Sequence, residues 1–201
     1  MIEYRGEVLR KAIHVGSIVI PVAVALMSKT LVVMILAAIA LALLMFDLLK
    51  AHHRPFKSLF LAVFGKMLRR REEEGSMTAS TIVVASAALT VFVFRQEIAV
   101  AALAYLSLGD SAAALVGRNW GRVSLVGGRT LEGSLAALIS CLLISVFLLL
   151  LNPVMGWNLT PLGLLAGSVT ATLAELVDLP LDDNLRIPIL AGIAMELVVP
   201  G

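Results

Sequence analysis

The side chains able to do chemistry stand out because so little around them is polar. Asp110 interrupts an apolar run within Leu108-Gly-Asp-Ser-Ala112, and Glu175 sits near the end of another, in Thr170-Ala-Thr-Leu-Ala-Glu175. Ionisable groups at membrane depth are costly and mark functional cavities. The plainer reading of each is a structural hydrogen bond or an interhelical ion pair. Other polar groups come in clusters. Arg10 and Lys11 precede His14 by four and three residues, which places all three on one helical face. Gly117-Arg-Asn-Trp-Gly-Arg122 follows Asp110 directly, Gly127-Gly-Arg-Thr-Leu-Glu-Gly-Ser134 opens a later apolar run, and Asp178-Leu-Pro-Leu-Asp-Asp-Asn-Leu-Arg-Ile-Pro188 joins the last two. Glycine-rich backbone with Arg and Lys holds phosphates through exposed N–H groups and fixed positive charge. Carboxylates beside such a site hold Mg²⁺, which takes a few protein oxygens together with substrate phosphates. These residue types point to a nucleotide–Mg²⁺ site. It is not a Walker A loop: Gly128-Arg-Thr-Leu-Glu-Gly-Ser134 ends in Gly-Ser where Gly-Lys-Ser is needed, and no strand precedes it.

The elements that must position these groups are apolar. Of 201 residues, 60% are hydrophobic and 15% charged, against about 45–50% and 25% in ordinary globular chains. Seven stretches follow from the charges, prolines and turn residues: 12–27, 31–46, 79–94, 98–116, 135–151, 162–177 and 187–199. Most hold 16–19 residues, about 24–28 Å of helix against a hydrocarbon core of about 30 Å. The expected fold is therefore all-α, a polytopic transmembrane bundle of about seven spans, with six as the alternative. Fourteen of the sixteen Lys and Arg residues fall in the N-terminal tail and alternate loops, leaving Lys29 and Arg95 opposite. The positive-inside bias places the N-terminus in the cytoplasm and the C-terminus outside.

All the polar clusters then lie at the cytoplasmic ends of their spans, so the site faces the cytoplasm. Phe56, Leu59, Phe60, Val63, Phe64 and Met67 recur at helical spacing, predicting an interfacial amphipathic helix around 55–71, or a helix packed on the bundle. Residues 1–201 read as one membrane-embedded catalytic domain. The start mixes acids and bases with no small-residue cleavage site, so no removable signal peptide is expected. Cys141, the single cysteine, lies in an apolar run as a packing residue. A net charge of +2 and 5% aromatics give no footprint for nucleic acid. The expected setting is a prokaryotic cell membrane.

Taken in order, Arg10-Lys-x-x-His14, Gly109-Asp110-x-x-Ala113, Gly117-Arg-x-x-Gly121-Arg, Thr130-Leu-Glu-Gly-Ser134, Glu175 and Asp183-Asn-Leu-x-Ile-Pro188 resemble the CTP-dependent lipid kinases. That family includes dolichol kinase, phytol kinase and yeast-type diacylglycerol kinase, and is related to the cytidylyltransferases that make CDP-diacylglycerol. The resemblance runs from about Val8 to Pro188. It departs at Arg129, where the family usually places Lys, so a planar fork replaces a point charge.

The resemblance implies transfer of the γ-phosphoryl group of CTP to a membrane-embedded alcohol. A polyprenol, dolichol, phytol or geranylgeraniol type of acceptor comes first and diacylglycerol second. Asp110, Glu175 and Asp183 would hold Mg²⁺, with Asp110 alternatively accepting the alcohol proton. Arg10, Lys11, Arg118, Arg122 and Arg129 would neutralise the triphosphate. Gly117, Gly121 and Gly133 would allow close backbone approach, beside Thr130 and Ser134. Glu132 would orient a base or complete the metal shell, and Asn119 and Asn184 could read a cytosine edge. His14 reads as a general acid/base or as a packed, hydrogen-bonded histidine. Two rivals stand beside this reading. A CTP:phospholipid cytidylyltransferase needs the same parts, and a small ion-coupled transporter would use Asp110 and Glu175 as a relay. The clustering at one face and the lack of repeated halves speak against the transporter.

Overall fold

The computed structural model describes residues 14–64, 77–177 and 181–198. Among them the chain is all-α, with eight helices. These are α1 (Val19–Leu26, continuing an apolar stretch from His14), α2 (Lys29–His52), α3 (Arg54–Phe64) and α4 (Ala79–Val93). They continue as α5 (Gln96–Trp120), α6 (Leu131–Met155), α7 (Pro161–Leu176) and α8 (Asp183–Val198). An isolated antiparallel bridge joins Ser124 to Thr130 in the loop before α6. Each apolar stretch marked off in the sequence corresponds to one helix. By length and composition α2, α5 and α6 can each cross a membrane; α1, α4 and α7 are apolar but shorter. The chain is thus a multi-pass membrane protein by its helices.

Two boundaries differ from the sequence expectation. Helix α2 runs past Phe46 to His52, because Asp47 and Lys50 turn inward and become buried instead of opening a loop. Helix α5 runs past Val116 to Trp120, so Gly117-Arg-Asn-Trp forms its last turn. The amphipathic segment forms α3 as far as Phe64, and the expected remainder to residue 71 lies outside the described residues. The rings of Phe56 and Phe60 stack in series behind Phe46 of α2, at 5.9 and 6.3 Å, while Leu59 is exposed.

Helix α5 is the axis of the bundle. Every residue from Ile98 to Ser107 is buried, and small side chains at Ala99, Ala101, Ala102 and Ala104 let neighbours approach on all sides. Helices α1, α6 and α8 pack on it, and α7 lies against α6 and α8. The outer helices are apolar where they face away from it: Leu31, Met34, Ile39 and Leu41 on α2, and Ile139, Leu143, Phe147 and Leu150 on α6, are exposed. A surface of that kind suits hydrocarbon, where helices satisfy their own backbone. Caps define the helix ends. Thr130 Oγ1 accepts from the Gly133 N–H at 3.2 Å, and Thr160 Oγ1 accepts from Gly163 at 3.1 Å ahead of Pro161. Gly156, in the left-handed region at φ 66°, stops α6.

Candidate functional site

A π turn at Tyr105–Gly109 interrupts α5 immediately before Asp110. Such a turn admits an extra residue and re-aims the side chains that follow. Tyr105 fixes it from above: its hydroxyl meets Ser145 Oγ at 2.7 Å and donates to the Leu164 carbonyl at 3.3 Å. Gly109 closes it from the side, since a Cβ there would lie 2.8 Å from Cys141 Sγ. Asp110 Oδ2 then stands 3.2 Å from His14 Nε2, which is also 3.3 Å from the Leu106 carbonyl oxygen. Both of those neighbours are acceptors, so Nε2 carries the proton and donates. Of its two expected roles, the geometry favours the hydrogen-bonded histidine that orients Asp110.

Asp110 and His14 open onto a cleft of about 340 Å³, whose lining also includes Ser17, Val19, Ile20, Val83, Val84 and Asp182–Asn184. Asp110 also lines a narrower cavity, shared with Glu175, Thr172 and Cys141. Glu175, on the last turn of α7, and Asp183, at the start of α8, are joined by Arg129. Its Nε lies 3.2 Å from Glu175 Oε1, and a terminal nitrogen lies 3.3 Å from both oxygens of Asp183. Buried Arg186, one turn along α8, also donates to Asp183. Asp183 lies before the apolar part of α8. Burial raises its carboxyl above the ordinary range, opposed by Arg186 and Arg129 and reinforced by Asp110 and Asp182.

Arg129 therefore bridges carboxylates in this structure, where the sequence placed it against the triphosphate. The three acids expected to share a divalent ion do share one neighbourhood. Among the described residues, no three His, Cys, Asp or Glu side chains are spaced to hold an ion as they stand. The donor type does suit a hard cation: Glu175 Oε2 is a buried carboxylate oxygen with no hydrogen-bond partner, on the cavity that Asp110 also lines.

The glycines bring helix backbones together. Gly117, on α5, and Gly133, on the first turn of α6, let the two helices touch around Thr130. A Cβ on Gly117 would be 2.8 Å from Thr130 Oγ1, and one on Gly133 would be 2.8 Å from the Ala113 carbonyl and 3.2 Å from Gly117 Cα. A Cβ on Gly121 would strike both the Gly117 carbonyl and Thr130. The close approach they permit is helix to helix. Glu132 Oε2 accepts from the N–H groups of Arg122 (3.0 Å) and Val123 (3.3 Å), clamping the loop to α6. It faces loop backbone, away from the other acids. Ser134, two residues on, is buried with its hydroxyl unpartnered.

Arg118, Asn119 and Arg122 are exposed around the end of α5, with Asn119 Nδ2 donating back to the Leu115 carbonyl at 2.9 Å. Asn184 donates its backbone and side-chain N–H groups to Asp182 Oδ1, at 3.0 and 2.6 Å, on the cleft wall. Arg10, Lys11 and Asp178 lie outside the described residues.

One polar cluster escaped the sequence reading. Asp47 Oδ2 accepts from the Thr78 N–H (2.9 Å), Thr78 Oγ1 (3.3 Å) and Thr81 Oγ1 (2.6 Å), and Oδ1 accepts from Lys50 Nζ at 3.0 Å. Lys50, 1% exposed, also lies 5.5 Å over the Phe60 ring. The pair staples α2 to α4 and, through Phe60, to α3. Its i,i+3 spacing in an otherwise apolar helix was the available signal.

Fold and site together define the class: an all-α, multi-pass membrane protein with an aspartate paired to a histidine on its central helix and a guanidinium-bridged pair of carboxylates nearby. Comparison with known proteins narrows this. Over 179 residues the chain is 30% identical to the CTP-dependent diacylglycerol kinase 1 of Eremothecium gossypii, covering 78% of this chain and 55% of that protein. The chain thus spans about half the length of that kinase, to which it is distantly homologous. It is also 26% identical over 191 residues to an uncharacterized protein of Rickettsia prowazekii, covering 93% of this chain and 92% of the relative. No protein-family model matches the chain. No solved structure matches it.

Proposed function

We propose that the protein is a CTP-dependent lipid kinase, which transfers the γ-phosphoryl group of CTP to the hydroxyl of a membrane-embedded alcohol at the cytoplasmic face. The observation that carries this reading is the match to a CTP-dependent diacylglycerol kinase across 78% of the chain, a stretch long enough to take in most of the polar clusters. The physics of the substrate agrees. Each buried CH₂ holds a lipid in the bilayer by about 0.8 kcal/mol, so the enzyme must bring its nucleotide to the interface. A polyprenol-type alcohol is the first acceptor proposed. Diacylglycerol is the second reading, favoured by the acceptor named for the matched kinase.

In this scheme seven helices cross the bilayer, with the N-terminus cytoplasmic and the C-terminus outside. Asp110, Glu175 and Asp183 would hold Mg²⁺ once Arg129 turns from the carboxylates to the phosphates. The ion would supply neutralisation of charge on the triphosphate. Arg10, Lys11, Arg118, Arg122 and Arg129 add fixed positive charge. The alcohol oxygen attacks the γ-phosphorus, the bond to the β-phosphate oxygen breaks, and CDP leaves. Asp110 would alternatively receive the alcohol proton in place of its metal role, with His14 as its hydrogen-bond partner. Positioning and charge do most of the work in phosphoryl transfer.

The test is the purified protein in phospholipid, given CTP, ATP, GTP or UTP with geranylgeraniol, a polyprenol or diacylglycerol, with Mg²⁺ present or withheld. A phosphorylated lipid made from CTP only with Mg²⁺ supports the reading. Failure of every alcohol with CTP refutes it.

A further inference from the structure

We propose that the cleft between α1 and α4 is the lane of the acceptor lipid, with the hydroxyl at Asp110 and the first part of the hydrocarbon chain lying along Val19, Ile20, Val83 and Val84. The inference rests on the kinase reading and adds where that enzyme takes its second substrate. Helix α1 packs chiefly on α5, and α4 chiefly on α2 and α8, which leaves the space between α1 and α4 open as a cleft of about 340 Å³. Its two ends differ in chemistry. One end presents Asp110, His14 and the Asp182–Asn184 turn; the other presents four aliphatic side chains from two membrane-apolar helices. An amphipathic lining with a few placed polar groups is what small-ligand sites have, and about 300 Å³ is where their sizes begin.

The lining decides which substrate it suits. Of its three aspartates, Asp183 is held by Arg129 and Arg186, while Asp110 stands beside His14. A neutral hydroxyl is a donor that a carboxylate accepts, and the aliphatic walls suit the hydrocarbon that follows it. The exposed bases Arg118 and Arg122 lie at and just past the end of α5, and Arg129 binds Glu175, which shares the narrower cavity with Asp110. On the kinase reading the nucleotide would lie toward these bases and the lipid along the aliphatic walls, the two meeting at Asp110. Ser17 and Ser80, small and polar on the cleft wall, leave room where the headgroup end of a lipid would pass.

Two measurements test the lane. The first uses Val19→Trp and Val83→Trp, which fill its apolar part. Val19 is 64% exposed, so its substitution disturbs no core. The KM for the lipid alcohol should rise at least tenfold in either variant, with the KM for CTP within twofold of wild type. An unchanged lipid KM, or a parallel rise for CTP, overturns the lane. The second measurement uses the wild-type protein and a polyprenol-type alcohol carrying a diazirine in its first isoprenoid units. Crosslinks should map to α1 and α4 and be suppressed by unmodified alcohol. Crosslinks elsewhere, in protein that still phosphorylates the alcohol, overturn the lane and spare the kinase reading. Crosslinks on α1 and α4, in protein that phosphorylates no alcohol, uphold the lane and overturn the kinase reading.

Discussion

Replacing Arg129 by lysine keeps the charge and removes the bridge. The guanidinium reaches Glu175 through Nε at 3.2 Å and Asp183 through a terminal nitrogen at 3.3 Å, two separate nitrogens of one rigid plane. One ammonium group cannot occupy both positions. A hydrogen bond to a charged group contributes about 1.5–3 kcal/mol. The contact given up is the one to Asp183, whose side chain is 41% exposed and remains bound to Arg186. Solvent screening therefore puts the cost of Arg129→Lys near 1 kcal/mol. Arg129→Gln also leaves Glu175, 12% exposed, without its cation on a cavity shared with Asp110. Breaking a buried pair by removing one partner costs about 3–5 kcal/mol, and an arginine 18% exposed belongs at the lower end. Thermal unfolding in phospholipid–detergent micelles should therefore rank wild type above Arg129→Lys above Arg129→Gln. Adding Glu175→Gln to Arg129→Gln should recover most of the loss, because no unpaired charge then remains. If Arg129→Gln matches wild type in stability, or the two single losses simply add in the double variant, the bridge has no energetic role.

Other perturbations follow from the same geometry. Asp110→Asn should lower CTP-dependent turnover by about 100-fold or more, the range for loss of a proton-transfer group; wild-type turnover would remove Asp110 from both proposed roles. Gly133→Ala must push its Cβ against the backbone of Ala113 and Gly117. It should destabilise the protein by about 1–3 kcal/mol as overpacking does, seen as a lower unfolding midpoint; no shift would mean that the α5–α6 junction is slack. Asp47→Ala takes the carboxylate from fully buried Lys50 and should cost about 3–5 kcal/mol. Lys50→Met with Asp47→Leu should cost less than that single change. The reverse order would show that the staple works through something other than its charges.

How far the sequence could be read depended on the range of each interaction. The helices were legible because hydrophobic blocks and their breaks are local, and each of seven stretches corresponds to one helix. Asp110 and Glu175 were legible as polar groups in apolar runs, and the structure does set them on a common cavity. Their partners were not. Arg129 reaches acids 46 and 54 positions away, and no local pattern announces that. The glycines pointed to close approach without naming what approaches, which proved to be a second helix around Thr130. Asp47 and Lys50 looked like the start of a charged loop because composition changes there. Their inward turn depends on Thr78 and Thr81, more than thirty residues away. The π turn at Tyr105–Gly109 is held by contacts to Ser145 and Cys141 on another helix, and its own residues carry no periodic mark of it.

The most direct test of a phosphoryl-transfer site serving a membrane alcohol follows the terminal phosphate itself. CTP labelled at the γ-phosphorus is incubated with the protein in phospholipid vesicles containing a polyprenol and diacylglycerol, and the products are partitioned between organic and aqueous phases. Label that enters the organic phase as a lipid monophosphate, with unlabelled CDP formed in equal amount, is the predicted result. Label released as pyrophosphate, with cytidine carried into the lipid, would contradict it and assign the site to cytidylyl transfer.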